Sequence, residues 1–187
     1  MNHFYACSLL TLFAGVIGSI SSRAEEAPQP ALAHTHEEFS LVVNAPYDQA
    51  FPLFGAYEER KWAKGFEPHF IHPSPAHDQQ GMMFTWVLGD RPSVWANTAF
   101  DPVSGHVQYV YFVNDTMVTL IDIHLTRAGE VETHVDVVYE RTALRPEANE
   151  QVMQQATADE GRDKDWAGMI NGYVASVLTA PLSTKKK

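Results

Sequence analysis

Cysteine is almost missing from this chain of 187 residues: Cys7 is the only one. A lone thiol forms no internal cross-link, so the fold must be held by its core. Cys7 also precedes most of an apolar segment, too early for a lipoprotein acylation site. Basic charge is scarce, with 13 Lys and Arg against 23 Asp and Glu and a formal net charge of −10. A surface of that sign disfavours nucleic acid and anionic membranes as partners. The terminal Lys185-Lys186-Lys187 is too short to reverse it. Catalytic signatures are absent as well. There is no Ser in a GxSxG setting, no HExxH and no glycine-rich phosphate cradle. That removes the common motif-borne hydrolase, zinc-protease and nucleotide-binding classes. No cofactor and no metal are expected.

Long hydrophobic runs are also lacking. Ala6 to Ile20 is apolar or small throughout, but its fifteen residues fall short of the roughly 20 that a spanning helix needs. Ser22-Arg23-Ala24 follows as a small-x-small cleavage site. This is the pattern of a secretory signal peptide, although its first residues carry no Lys or Arg. An uncleaved anchor is the alternative. The expectation is export, to the periplasm, with cleavage near Ala24. The remaining chain has 12 basic and 23 acidic residues, no cysteine and no membrane span. It is long enough for one domain, since a domain near 150 residues buries roughly 70% of its unfolded surface.

Residues 25–36 (EEAPQPALAHTH) are rich in Pro and Ala and lack periodicity, which predicts a linker. Residues 37–180 then form the domain and 181–187 a basic tail. Phe39 to Val43 reads as a first strand, closed by Ala45-Pro46. Ala50, Phe51, Phe54 and Tyr57 share one face of a short helix that Pro52 can kink. Strands are expected over Phe66–His72, Met82–Leu88, Val94–Phe100, Val107–Val113, Met117–Thr126 and Val131–Thr142. Between the last two, a three-residue loop at Ala128-Gly129-Glu130 pairs Ile123 with Val135, Ile121 with Val137 and Thr119 with Tyr139. The opposite, solvated face then carries Asp122, His124, His134 and Asp136. At the Asp101–Gly105 turn, a five-residue loop places Trp95, Val107, Tyr109 and Tyr111 on one face, and a four-residue loop splits Trp95 from the tyrosines. The longer loop is preferred.

Pro146 opens a terminal helix whose first half is polar and which Gly161 interrupts. Trp166, Met169, Ile170, Tyr173, Val174 and Val177 give its second half an apolar stripe. A curved sheet covering one terminal helix leaves a gap suited to apolar ligands.

Several of these segments resemble one family. They are Phe51-Pro52-Leu53-Phe54; Glu59-x-x-Trp62-Ala63-x-Gly65-Phe66-x-Pro68; Val94-Trp95; the Asp101-Pro102 turn; and Tyr109. The most specific is Tyr139-x-x-Thr142-Ala143-Leu144-x-Pro146-Glu147-x-Asn149. Together they resemble bacterial members of the START-like, polyketide cyclase-like (SRPBCC) superfamily over residues 38 to 178. The chain departs at Lys64, often proline there, and at Phe66, often tryptophan. The resemblance implies an α+β helix-grip fold: a curved seven-stranded antiparallel sheet around a long C-terminal helix, with two short helices after the first strand. It also implies a cavity for lipids, polyketides or other hydrophobic molecules. It implies no single chemistry, and no catalytic residue can be carried over.

The expected cavity lining comes from four stretches. Trp62 and Phe66 follow the short helices. Trp95, Tyr109 and Tyr111 come from the middle strands, and Thr119, Ile121 and Tyr139 from the last hairpin. Trp166, Met169, Ile170 and Tyr173 come from the terminal helix. Trp86 belongs to the same aromatic set. Tyr139, Thr119, Tyr109, Asn97 and, near the mouth, Arg141 are expected as inward polar groups able to orient a ligand or move a proton. Two histidine groups, His124 with His134 and His34 with His36, are weighed as metal ligands and set aside, the first as solvated and the second as poorly preorganised. The expected function is binding or transport of a hydrophobic small molecule or lipid. The alternative is a cyclase-, dehydratase- or hydrolase-type enzyme in the same cavity. No protein partner is implied.

Overall fold

The computed structural model describes residues 30–178. The expected leader 1–24 with Cys7, residues 25–29 of the expected linker, and the tail 181–187 lie outside the described residues.

The chain forms β1 (His34–Val43), α1 (Tyr47–Ala50), a 3-10 turn (Phe51–Phe54) and α2 (Ala56–Glu59). β2 (His69–His72), β3 (Met83–Leu88), β4 (Arg91–Asp101) and β5 (His106–Val113) follow. β6 (Met117–Arg127), β7 (Thr133–Ala143), a second 3-10 turn (Pro146–Ala148), α3 (Asn149–Ala158) and α4 (Arg162–Leu178) complete it. The strands make one antiparallel sheet in the order β1-β7-β6-β5-β4-β3-β2. This is the helix-grip arrangement, and α4 lies against β1.

β1 begins earlier than Phe39, so His34–His36 are strand rather than linker. They pair with Thr142, Arg141 and Glu140 of β7. Sequence reading missed this because the inward residues are polar. Thr35 is buried, and Glu37 accepts a hydrogen bond from Arg141 Nη1 at 2.7 Å. Asn149 Oδ1 accepts from Ala33 N at 2.7 Å and its Nδ2 donates to Ala31 O at 2.9 Å, which fastens the approach to the strand.

The expected short helix is three pieces. Pro52 sits in the 3-10 turn and Gly55 is extended (φ −84°, ψ 140°), so the helix restarts at Ala56. Phe66 precedes β2 rather than opening it, and Gly65 (φ +83°) makes the turn before it. In the terminal helix Gly161 (φ +84°) separates α3 from α4. Ile170 and Val174 are buried, whereas Met169 and Val177 remain exposed.

Two hairpins differ in detail from expectation. The β6–β7 loop has five residues, 128–132. The pairs are therefore Ile123 with Val137, Ile121 with Tyr139 and Thr119 with Arg141. A shift of two residues leaves every side chain on its expected face. The β4–β5 loop has four residues, with Asp101 opposite His106. A bulge at Thr98 then absorbs one residue, so Trp95 lies opposite Tyr111. Trp95, Val107, Tyr109 and Tyr111 all end up buried on the inner face. Gly105 (φ +78°) closes this loop where a Cβ would come within 2.2 Å of Leu125 O.

Candidate functional site

Between the concave face of the sheet and the helices lies a cavity of about 560 Å³. That is within the range of small-molecule sites, about 300–1,000 Å³. The turn after α2 gives Trp62 and Phe66, and β3 and β4 give Phe84, Trp86 and Trp95. β5 to β7 give Tyr109, Tyr111, Ile121 and Tyr139, and α4 gives Trp166 and Met169. Exposed Lys64, Gly65, Gly89, Asp90 and Arg91 form its rim.

Nine of the twelve expected lining residues thus reach the wall. Thr119, Ile170 and Tyr173 do not. Thr119 points inward but is fully buried beside Arg141, and its Oγ1 has no partner among the described residues. Ile170 is packed into the core under α4, and Tyr173 is only half-buried. Of the other inward polar groups, Asn97 is buried away from the wall. Arg141 is not at the mouth but 1% exposed at the inner end.

The polar tips of the wall divide into two kinds. Some are already used. Trp62 Nε1 donates to Leu53 O at 2.7 Å, and Trp95 Nε1 donates to Ser93 Oγ at 2.7 Å. Tyr109 Oη accepts from Ala56 N at 2.8 Å and donates to Phe54 O at 3.1 Å. These residues offer only ring faces. The Tyr111 and Tyr139 hydroxyls, by contrast, make no hydrogen bond among the described residues. Burial holds the Tyr139 hydroxyl above the ordinary tyrosine range. The rings stack closely: Trp95 and Tyr111 lie 3.9 Å apart at 17°, and Phe66 meets Trp86 edge-on at 4.9 Å.

One acid on the wall escaped sequence reading. Glu59 ends α2 and is half-buried. Burial, with the nearby charge of Asp78 adding to it, pushes its carboxyl up to about 8. Asp78 itself caps α2. Its Oδ1 accepts from Tyr57 N at 2.7 Å and its Oδ2 from Glu58 N at 3.1 Å. Burial nonetheless raises the Asp78 pKa. Glu59 does lead the Glu59-x-x-Trp62 segment, but nothing in the sequence shows which way it faces.

At the other end an ion ladder crosses three elements. Glu37 of β1 pairs with Arg141 of β7, Arg141 with Asp159, and Asp159 with Arg162 of α4. Both guanidinium groups lie over the Tyr139 ring, at 4.5 Å and 5.6 Å from its centroid. Gln151 and Gln155 complete this end of the wall.

The histidines lie on the outer face. Because of the register, His124 faces Asp136 rather than His134. His124 stacks instead on His106 across β5, at 4.6 Å. Asp122 pairs with both, at 2.6 Å to His106 and 3.3 Å to His124. His106, Asp122 and His124 bring ligand atoms within 4.8 Å of one another. His34 and His36 pair with Glu140 at 2.9 Å and 2.5 Å.

No family model matches the chain, and no curated protein matches it. Solved structures do. Norcoclaurine synthase from Thalictrum flavum, in complex with dopamine and hydroxybenzaldehyde, is 15% identical; the match covers 91% of this chain and 98% of that one, with a TM-score of 0.58. The Zhui aromatase/cyclase from Streptomyces sp. R1128 is 11% identical over 79% of this chain and 98% of that one, with a TM-score of 0.57. Ara h 8.0201 is 13% identical over 77% and 99%, with a TM-score of 0.53. At such identities the likeness is one of fold.

Proposed function

From a helix-grip fold of the START-like, polyketide cyclase-like (SRPBCC) type, we propose that this protein binds a hydrophobic small molecule or lipid in the cavity between sheet and terminal helix, as a carrier or sensor. The observation that carries the reading is the placement of tryptophan. The chain has four, and all four, Trp62, Trp86, Trp95 and Trp166, line that one cavity. Large amphipathic rings around about 560 Å³ give an apolar ligand extensive contact at little entropic cost. The names of the fold neighbours agree in kind, since one was crystallised with dopamine and hydroxybenzaldehyde and another is an aromatase/cyclase.

Glu59 favours a second reading, a cyclase-, dehydratase- or hydrolase-type enzyme. A carboxyl that keeps its proton near neutral pH inside an apolar site is suited to general acid work. Export is part of the proposal and rests on Ala6–Ile20 and Ser22-Arg23-Ala24. Among the described residues no helix is long and apolar enough to cross a membrane.

Native mass spectrometry of the protein from its own cell envelope tests these points together. The expected species lacks residues 1–24 and carries a bound organic molecule. Re-adding that molecule at a hundredfold excess over its Kd should stabilise the protein by about 2.7 kcal/mol. Recovery of bare protein, with no change in melting or tryptophan fluorescence on adding lipids, sterols or polyketides, would count against ligand binding.

A further inference from the structure

The charge of the cavity runs against that of the molecule. The chain carries nearly twice as many acidic as basic residues. The cavity wall has four basic residues, Lys64, Arg91, Arg141 and Arg162, against Glu59 and Asp90. Its lining is thus more basic than the chain as a whole. A physical reason can be sought at the site.

The inner end supplies one. Arg141 is buried and Arg162 partly so, and among the described residues the Nε of each is a buried donor with no partner. The carboxylates of Glu37 and Asp159 occupy terminal nitrogens only: Arg141 Nη1 and Nη2, and Arg162 Nη2. A buried donor without an acceptor costs on the order of 1–3 kcal/mol, more when charged. A bound acceptor would remove that cost. The Tyr139 ring lies under both guanidinium groups, its hydroxyl is unengaged, and the equally unengaged Tyr111 hydroxyl lines the same wall. Cationic forks with phenolic donors nearby suit a carboxylate. Beyond them the wall is mostly aromatic and aliphatic, with Glu59, Gln151, Gln155 and the exposed rim as its other polar groups.

We propose that the natural ligand is an amphiphilic carboxylic acid, with its carboxylate at the Arg141–Arg162 end and its apolar body among the tryptophans. This rests on the reading of the cavity as a ligand site and narrows it to a chemical class. The exterior gives no help to such a ligand, because a protein of net charge −10 repels free carboxylates. A measured preference for the acid therefore has to come from the wall.

The test compares matched probes at pH 7.5, below micellar concentration. Dodecanoate is set against dodecanol, and 2-naphthoate against 2-naphthalenemethanol, by calorimetry and tryptophan quenching. In the wild-type chain each acid should bind at least tenfold more tightly than its alcohol. Arg162→Gln should shrink that preference at least tenfold, and Arg162→Lys should retain part of it. Arg162 is the residue to change because Arg141 is buried in the fold, and melting curves verify that each variant is folded. Equal affinity for acid and alcohol in the wild type, or an undiminished preference in Arg162→Gln, overturns the inference and leaves ligand binding standing. Binding of none of the four probes overturns both.

Discussion

At the scale of single residues, the acid end of the cavity is the most sensitive to solution conditions. Glu59 titrates near 8 in the folded chain and near 4.3 when unfolded. Between those values the native state holds a proton that the unfolded state has lost, so stability falls as pH rises from about 4.3 to about 8 and levels off above. Glu59→Gln should remove that dependence. Denaturation at pH 5 and pH 8 should show a smaller difference in the variant than in the wild type, by about 1 kcal/mol or more, with the variant gaining at pH 8. Equal pH dependence in the two proteins would show that the carboxyl is not held in its neutral form. Gly55 is the companion case. Its backbone suits any residue, but a Cβ there would stand 2.1 Å from Asp78 Cγ. Gly55→Ala must push the carboxylate off the two α2 amides it caps, at a cost of roughly 1–3 kcal/mol. In Asp78→Ala the same glycine change should cost little, so chemical denaturation of the double mutant should show strong non-additivity.

At the scale of elements, the β4–β5 hairpin shows how far a sequence can be read. The alternation of Val107, Tyr109 and Tyr111 is plain in the chain, and so is the turn at Asp101-Pro102. Loop length alone would have sent Trp95 outward. The bulge at Thr98 reverses that parity, and Thr98 Oγ1 is held by Gln108 Oε1 at 2.8 Å. No residue type announces such a bulge. Deleting Thr98 should therefore remove the bulge and leave Trp95 buried opposite Tyr111, at a cost of no more than about 1 kcal/mol. Tryptophan emission and denaturation midpoints check this, and a red-shifted emission in the deletion variant would show that the strand had slipped instead. The β6–β7 loop failed for a different reason. Val131 has the composition of a strand residue yet is 66% exposed in the loop. β1 was clipped because its inward Thr35 and Glu37 break the apolar alternation, and their partner Arg141 lies more than a hundred residues away. Faces were legible from local pattern. Registers, which depend on remote partners, were not.

At the scale of the whole molecule, the order of strands followed by a terminal helix was enough to place a cavity, and its aromatic wall was largely visible in the sequence. What sequence could not supply was the polarity of its two ends. Glu59 and Arg162 are ordinary surface residues by composition and become wall residues only through the way α2 and α4 are docked. The outer face has its own chemistry, a band of histidines paired with Asp122, Asp136 and Glu140, separated from the cavity by the thickness of the sheet. A solute reaching the histidines cannot touch the tryptophans, so signals from the two sides can be told apart.

One carboxylate, Asp159, joins the last strand to the last helix by gripping Arg141 and Arg162 together, two residues before the left-handed Gly161. If the proposed carboxylate seats beside Arg162 without displacing Asp159, it should tighten the latch. Deuterium uptake at the amides flanking Gly161 would then report whether the chamber is loaded, without any label on the cargo.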